Sequence, residues 1–305
     1  MSSDQWIITR RDFLKASGIV TLGLGFTQNV MKSEEKDSSV LCRFGMVTDP
    51  HYADIENHGN RFYRQSIQKM SECVEFMNQE KVDFLIELGD FTNGTPDGSL
   101  NHLKEIEEVF RKFKGPRYHV LGNHDLDSLS KEQFQSIIEN THIGRDQTYY
   151  TFTMKGVQFI VLDATFTSEG LAYKMGNFHW TDANIPEDQL AWLNHTLEQT
   201  NLPVVLFVHQ LLDSREGIDD RHSINNATQV RAVLESHPRV MAVFQGHQHQ
   251  GQYHVINDIH YYTLKAMVEG SGEESSSYAI VENFENGSIR ITGYRKAVDV
   301  EINCP

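Results

Sequence analysis

Five short polar clusters contain the side chains of this sequence that can do chemistry together. Each cluster follows an apolar run of the kind that forms a buried strand. In chain order they are Asp49-Pro50-His51, Gly89-Asp90, Gly122-Asn123-His124-Asp125, His209 and Gly246-His247-Gln248-His249. Carboxylates, imidazoles and amides are costly to bury without partners, and the same groups are ligands for divalent metal ions. The clusters therefore predict a shared polar site with the capacity to bind metal.

The third cluster combines the most chemistry in the fewest residues. Asn123 can offer an amide oxygen to a metal ion, and His124 can transfer a proton. Asp125 can hold the imidazole in one tautomer through a hydrogen bond. Each cluster alone is a weak indication, because an isolated histidine such as His209 is more often structural. Asn93 is not a candidate ligand, because an asparagine before a glycine, here Gly94, is equally typical of a turn.

The chain around the first three clusters alternates between strand-like apolar runs and helical periodicity. Strands are predicted at residues 40–48, 82–88 and 117–120, and helices at residues 61–78 and 100–113. A β-α-β-α-β order implies parallel strands, and open α/β sheets bind ligands at the carboxyl ends of such strands. The first three clusters are therefore expected at one edge of a sheet.

The second half of the chain predicts further strands and a mixed sheet. Residues 148–153 and 157–162 form a predicted hairpin around Lys155-Gly156, and residues 166–185 show no regular pattern. Strands are also predicted at residues 203–208, 240–244, 259–264, 278–282 and 289–294, and helices from Pro186 onward and at residues 227–235. Because no repeat or internal boundary is visible, residues 40–305 are predicted to form one α/β domain.

Composition and charge exclude several classes of protein. The chain has 305 residues, of which 39% are hydrophobic and 23% charged, so a packed core is expected. A net charge of -15 argues against a nucleic-acid polymer or an anionic membrane as partner, because both require a basic surface. The three cysteines, Cys42, Cys73 and Cys304, are too few and too widely spaced for a disulfide framework or a thiolate zinc site.

The N-terminal residues 1–30 are predicted to be a targeting segment. Residues 9–15, Thr-Arg-Arg-Asp-Phe-Leu-Lys, resemble the twin-arginine export signal of bacteria. The uncharged run at residues 16–27 is too short for a stable membrane span and has the length of a signal-peptide core. The resemblance implies the twin-arginine export machinery as a partner and a periplasmic or extracellular location. Residues 31–39 are predicted to be a polar linker.

Taken together and in this order, the five clusters resemble the motif set of the calcineurin-like metallophosphoesterases at every position. The resemblance extends from about Leu41 to the C-terminal strands. It implies a mixed β-sheet sandwich flanked by helices, in α-β-β-α layers, and a site for two metal ions. By this resemblance the first ion would be bound by Asp49, His51, Asp90 and His249. The second ion would be bound by Asp90, Asn123, His209 and His247, so that Asp90 bridges the two.

The donor types indicate both the metals and the reaction. Oxygen and imidazole ligands without thiolate suit divalent or trivalent Mn, Fe or Zn. Two carboxylates opposite two such ions leave a positive pocket in an acidic protein, which favours a small phosphorylated substrate. A hydroxide between ions about 3.5–4 Å apart would attack phosphorus in small phosphoesters or nucleotide-type diphosphates. His124 would assist the leaving oxygen, and Asp125 would orient His124 through a hydrogen bond.

The surroundings of two motifs narrow the family resemblance further. Residues 51–54, 61–66 and 186–193 resemble the manganese-dependent ADP-ribose/CDP-alcohol diphosphatase branch. That branch implies a substrate with two phosphates and a nucleoside. A broad-specificity phosphomonoesterase of the alkaline type remains an alternative, and so does a catalytically retired metal-binding module. A protein serine/threonine phosphatase is disfavoured, because that branch has glutamate at the position of Asp125.

Five further residues are candidates for contact with the substrate. Arg61 or Arg64 would hold a second phosphate, and Phe178 or Trp180 would stack on a base. His222 would help to shape the pocket. The simpler interpretation of the arginines is that they are surface residues of a helix, and that of the aromatic residues is that they anchor a loop. The sequence alone leaves both interpretations open.

Overall fold

The computed structural model describes residues 39–95, 98–177, 179–213 and 221–303. The predicted signal segment, nearly all of the predicted linker, and the residues Phe178 and Cys304 lie outside these ranges. Within the described residues, no helix is long enough and apolar enough to cross a membrane.

Twelve strands and five α-helices are present in the described part of the chain. The strands are β1 (Val40–Val47), β2 (Phe84–Glu87), β3 (Arg117–His119), β4 (Tyr150–Met154), β5 (Val157–Val161), β6 (Val204–Phe207), β7 (Val240–Gln245), β8 (Gln252–Ile256), β9 (Ile259–Thr263), β10 (Ser277–Phe284), β11 (Ile289–Arg295) and β12 (Val300–Ile302). The helices are α1 (Ser66–Glu80), α2 (Ser99–Phe110), α3 (Lys131–Gln135), α4 (Glu187–Gln199) and α5 (Ala227–Glu235).

The strands form two mixed sheets of six strands each. The first sheet has the order β12-β11-β10-β1-β2-β3, in which β1, β2 and β3 run parallel. The second has the order β4-β5-β6-β7-β9-β8, in which β5, β6, β7 and β9 run parallel. The β4–β5 hairpin pairs antiparallel, as predicted. The carboxyl ends of parallel strands meet at one edge of each sheet, which is where ligands bind in such folds.

Aromatic side chains fill the space between the two sheets. The ring of Phe44 on β1 stacks on Phe84 at 4.8 Å between centroids. From the second sheet, the rings of Phe159 and Phe207 approach Phe44 edge-on at 5.5 and 5.6 Å. Strands β2 and β6 are buried at every residue, since one face contacts the opposite sheet and the other contacts helices.

Helices cover both outer faces of the sandwich. Helices α1 and α2 pack on the first sheet through residues such as Met70, Val74 and Ile106. Helices α4 and α5 pack on the second sheet through residues such as Leu193 and Val230. The predicted α/β fold with α-β-β-α layers is therefore confirmed.

Candidate metal centre

The predicted ligands follow the carboxyl ends of strands in both sheets. From the first sheet come the residues after β1, β2 and β3, namely Asp49, His51, Asp90 and Asn123. From the second sheet come the residues after β6 and β7, namely His209, His247 and His249. Because the two sheets face each other, residues that are far apart in sequence become neighbours. The backbone N–H of His247, for example, donates a hydrogen bond of 3.0 Å to Oδ2 of Asp49, which lies 198 residues earlier in the chain.

The donor atoms of these side chains converge within a few ångströms. His51 Nε2 lies 3.2 Å from His249 Nε2 and 3.5 Å from both Asp49 Oδ1 and Asp90 Oδ2. His249 Nε2 lies 3.3 Å from Asp49 Oδ1. His209 Nε2 lies 3.2 Å from Asp90 Oδ2. Asp90 Oδ2 therefore lies within 3.5 Å of two imidazoles, one following a strand of each sheet.

The donors fall into two groups that resemble the two predicted ion sites. In each group, one ligand atom per residue lies within 4.8 Å of the others. The first group consists of Asp49, His51 and His249, and the second consists of Asp90, His209 and His247. A third group links His51 and Asp90 to His124. The structure thus brings together six of the seven residues that the resemblance assigned to the two ions.

Unpaired buried atoms test whether metal ions fit here. Among the described residues, both polar side-chain atoms of Asn123 and Nε2 of His247 are buried without a hydrogen-bond partner. Leaving such a group unpaired costs about 1–3 kcal/mol. Bound cations would remove this cost, since each of these residues has an oxygen or nitrogen lone pair for coordination. The residues therefore fit a pair of metal ions.

The backbone of four predicted ligands adopts an uncommon conformation. Asp49, His51, Asp90 and His247 have φ values of 50°, 45°, 56° and 66°. Residues other than glycine rarely adopt positive φ, and such strain costs on the order of 1–3 kcal/mol at each position. This conformation turns the chain sharply at the strand end and directs the side chain toward the cluster. Strained backbone of this kind concentrates at functional sites.

The charges of the site are strongly coupled. Burial alone would raise the pKa of Asp90, but the nearby rings of His209 and His124 hold it well below its usual value. Burial opposes protonation of His209, whereas Asp90 and Asp49 raise its pKa to about 10. Burial, together with the positive charge on His209, holds the pKa of His247 well below its usual value. The carboxylates are therefore ionised and His247 is neutral, as metal binding requires, whereas His209 would release its proton when an ion binds.

Two of the histidines are held by hydrogen bonds on the side away from the cluster. His209 Nδ1 donates to the carbonyl of Leu88 at 2.7 Å. His249 Nδ1 lies 2.8 Å from Glu269 Oε1. Each bond fixes the tautomer that leaves Nε2 free to coordinate an ion. Glu269 could not be predicted from the sequence, because it belongs to no motif and reaches the site only through folding.

The prediction that Asp125 orients His124 is wrong. Asp125 instead accepts hydrogen bonds from the backbone N–H groups of Asp90, Thr92 and Gly122, at 3.1, 3.0 and 2.9 Å. Its role is to hold together the loops that follow β2 and β3.

Asp127 is the carboxylate that pairs with His124. His124 Nδ1 lies 3.1 Å from Asp127 Oδ2. The physical reason is a 3-10 turn at His124–Leu126, in which side chains three positions apart lie on the same side and adjacent ones do not. The sequence signal for this pair is the spacing of three residues between His124 and Asp127.

Two of the predicted substrate residues lie beside the cluster. The ring of Trp180 is 6.0 Å from that of His247 and 5.3 Å from that of His222. The ring of His222 is 5.2 Å from that of His247. Trp180 and His222 therefore form a wall next to a predicted metal ligand.

The arginines have acidic partners. Arg61 Nε lies 3.7 Å from Glu269 Oε1, and the same oxygen of Glu269 contacts His249. Arg64 pairs on the surface with Asp54 at 2.5 Å and with Glu56 at 2.8 Å. Arg64 is therefore hydrogen-bonded to two carboxylates, whereas Arg61 makes only a longer ion pair with one. Phe178 lies outside the described residues.

The fold and the cluster together define a class of protein. A two-sheet α/β sandwich that presents paired groups of carboxylate and imidazole donors at its strand ends is a metallohydrolase. Comparison with known proteins then identifies the family. The sequence profile described as calcineurin-like phosphoesterase matches residues 42–251, so the chain belongs to that family. It is a phosphoester hydrolase of the dimetal type.

Similar proteins support this assignment at the level of sequence. The chain is 26% identical over 322 residues to the manganese-dependent ADP-ribose/CDP-alcohol diphosphatase of Oryza sativa subsp. japonica, covering 92% of this chain and 98% of the relative. It is 26% identical over 271 residues to the protein of the same name from Homo sapiens, covering 71% of this chain and 79% of the relative.

A solved structure supports the fold. The crystal structure of a dimetal phosphatase from Danio rerio superposes with a TM-score of 0.75 at 22% sequence identity. The superposition covers 87% of this chain and 99% of that one. The two-sheet architecture described above is therefore the architecture of that phosphatase.

Proposed function

We propose that this chain hydrolyses nucleotide-type diphosphates with the help of two metal ions. The observation that carries the proposal is the pair of donor groups, Asp49–His51–His249 and Asp90–His209–His247, next to an aromatic wall. Two ions suit displacement at a phosphorus atom, and an aromatic wall suits a nucleoside. The names of the relatives from rice and human describe such an activity for those proteins.

The chain would hold the ions in the way its motifs indicate. One ion would be bound by Asp49, His51, Asp90 and His249, and the other by Asp90, Asn123, His209 and His247. When bound, such ions polarise phosphoryl oxygens and make water a better nucleophile at neutral pH. Mn, Fe and Zn all suit these donors, and the manganese-dependent relatives favour Mn²⁺.

His124 would act on the leaving group. Its backbone N–H donates to Asp90 Oδ1 at 2.7 Å, which fixes the residue against the cluster. Its side chain is 25% exposed, so a substrate can reach the ring, and Asp127 holds Nδ1. The ring is thus positioned to give a proton to the departing oxygen or to stabilise its charge.

Trp180 and His222 would contribute to substrate selection. Trp180 is 37% exposed, which is unusual for so large an apolar side chain beside a polar cluster. An aromatic face of this kind can stack on a nucleobase. Arg61 and Arg64, by contrast, already have acidic partners, which weakens the proposal that they hold phosphate.

A substrate panel tests the proposal. Hydrolysis of ADP-ribose, a CDP-alcohol, bis-p-nitrophenyl phosphate and p-nitrophenyl phosphate would be measured with Mn²⁺ or Zn²⁺. We expect kcat/KM to be highest for the two nucleotide diphosphates. A preference for p-nitrophenyl phosphate would instead support the broad-specificity phosphomonoesterase.

We further propose export through the twin-arginine pathway, on the basis of residues 1–30. Replacing Arg10 and Arg11 together by lysine keeps the charge but removes the motif. In a bacterium with an active pathway, we expect the wild-type chain in the periplasm and the variant in the cytoplasm. Equal periplasmic amounts of the two proteins would contradict export by this route.

A further inference from the structure

Residues 266–270, which we call the strap, connect the ligand loops of the two sheets. The backbone N–H of Ala266 donates to the carbonyl of His249 at 3.1 Å. The N–H of Val268 donates to the carbonyl of Asp49 at 3.0 Å. His249 comes from the second sheet and Asp49 from the first. The strap therefore fixes the spacing between two predicted ligands of the same ion.

Two ammonium groups hold the strap in place. Lys69 Nζ donates to the carbonyls of Met267 and Gly270 at 2.8 and 2.7 Å, and Lys69 is only 1% exposed. Lys296 Nζ donates to two further carbonyls of the strap. Hydrogen bonds from charged donors are about twice as strong as neutral ones. The strap is thus a rigid support rather than a mobile loop.

One side chain of this support reaches the cluster. Glu269 Oε1 lies 2.8 Å from His249 Nδ1 and 3.7 Å from Arg61 Nε. The backbones of Arg61 and Glu269 also form an antiparallel bridge. Arg61 therefore contacts Glu269, and Glu269 contacts His249, a predicted ligand of the ion.

We propose that Glu269 is a positioning residue for the metal site and that Arg61 acts through it. By accepting from Nδ1–H of His249, Glu269 fixes the tautomer whose Nε2 lone pair faces the ion and makes that nitrogen a better donor. Arg61 holds the carboxylate in place instead of binding a phosphate of the substrate. Glu269 has this role only if His249 binds an ion, as the proposed function requires.

The test is the affinity of the full chain for Mn²⁺, measured by competition with a chelator. We expect Glu269→Ala to weaken one of two manganese sites by about 10–100-fold, the usual effect of losing such a partner of a metal-bound histidine. Glu269→Gln keeps an acceptor oxygen without the charge, so its loss should be smaller. Glu274→Gln, which changes an exposed carboxylate shortly after the strap, should leave the affinities of both manganese sites unchanged.

The outcomes separate this inference from the proposed function. Two manganese sites in the wild type with unchanged affinities in Glu269→Ala would overturn the role of Glu269 alone. Fewer than two sites in the wild type would overturn the proposed function itself.

Arg61 is tested by a second pair of variants. If Arg61 acts through Glu269, Arg61→Ala weakens the same manganese site, and adding it to Glu269→Ala weakens the site no further. If Arg61 binds phosphate, Arg61→Ala raises KM while the manganese affinity stays at the wild-type value. This second result would overturn the assignment of Arg61.

Discussion

The contact between His124 and Asp127 has consequences for catalysis. Nδ1 of His124 lies 3.1 Å from the Asp127 carboxylate, and this contact holds the ring in one orientation. A carboxylate next to an imidazole stabilises the protonated ring and fixes its orientation. Asp125 lacks this role because its oxygens accept three backbone N–H groups.

Removing the charge of Asp127 should therefore slow the reaction without affecting metal binding. For Asp127→Asn we expect kcat to fall by about 100-fold or more, because a positioned acid contributes about 10²–10⁴-fold. His124→Ala should lose at least as much, and both variants should keep the wild-type metal content. Steady-state kinetics and elemental analysis would measure this, with the exposed Asp146→Asn as control. A wild-type kcat in Asp127→Asn would contradict the pairing.

At the scale of single residues, the motifs predicted the candidate ligands better than they predicted the contacts that hold those ligands in place. The seven predicted ligands and His124 all come from five motifs, and the structure brings the donor atoms of His124 and of every predicted ligand except Asn123 together. Asp127 and Glu269 were missed for different reasons. Asp127 reaches His124 through local turn geometry, whereas Glu269 reaches His249 only because the strap crosses between the sheets.

At the scale of elements, the turns after the strands need residues of particular size. Gly89 has a φ of 102°, and a Cβ atom there would lie 2.4 Å from His209 Nδ1. Any side chain would displace the imidazole that stands beside Asp90. The glycine before Asp90 is therefore required for two reasons, namely its backbone conformation and the lack of space for a side chain.

Two glycine substitutions distinguish the cost of the backbone conformation from the cost of the missing space. Gly156, in the β4–β5 turn, has a φ of 80° but no atom within 4 Å of an added Cβ. Gly156→Ala should therefore cost only backbone strain, about 1–2 kcal/mol, and leave metal binding intact. Gly89→Ala should destabilise more and lose affinity for the ion held by His209. Denaturant unfolding and metal titration would measure both, and equal effects of the two variants would contradict the close packing at Gly89.

A buried ion-pair network joins β2, β3 and α2 below the site. His119 Nε2 lies 3.2 Å from Glu107 Oε2, and His119 Nδ1 lies 3.7 Å from Glu87 Oε2. Burial would lower the pKa of His119, but Glu107 and Glu87 raise it to about 9. A raised pKa in the folded state means that the charged ring stabilises the fold at neutral pH.

The contribution of His119 should depend on pH in a definite direction. It should be fully present below the usual pKa of 6.5 and be lost as the pH rises through about 9. At neutral pH, His119→Gln should lower the free energy of unfolding by on the order of 3 kcal/mol, since it leaves buried carboxylates unpaired. Denaturant titrations of both proteins should show this difference shrinking between about pH 6.5 and pH 9. A difference that stays constant or grows would contradict a charged His119.

Long, strongly periodic elements could be predicted from the sequence, and short or marginal ones could not. Helix α5 has the predicted bounds, whereas α1 begins at Ser66 and not at residue 61, since Arg61 pairs with residues of two loops. Helix α3 has only five residues and is defined by a capping box at Ser130, too short to show periodicity. Strands β8 and β12 lie at sheet edges, where fewer apolar residues are needed.

At the scale of the whole molecule, the site depends on the two sheets being held together. Its predicted ligands come from both sheets, so bound ions would crosslink them. A ligand that binds only the folded state stabilises it by about 2.7 kcal/mol at a concentration of 100 Kd. Removing metal with a chelator should therefore lower the unfolding temperature, and adding Mn²⁺ should restore it. Unfolding followed by circular dichroism with and without chelator would test this, and an unchanged midpoint would contradict a crosslinking role.

The overall charge gives the ions a second role. With a net charge of -15, the protein as a whole repels an anionic substrate. Two cations placed next to Asp49 and Asp90 would reverse this repulsion locally. Substrate capture and metal binding are therefore expected to be lost together.

The paired metal site can be tested most directly by anomalous diffraction from crystals of the chain grown with Mn²⁺. We expect two manganese peaks per chain, one in contact with His51 and His249 and the other with His209 and His247, on either side of Asp90. A single peak, or peaks away from Asp90, would contradict the account.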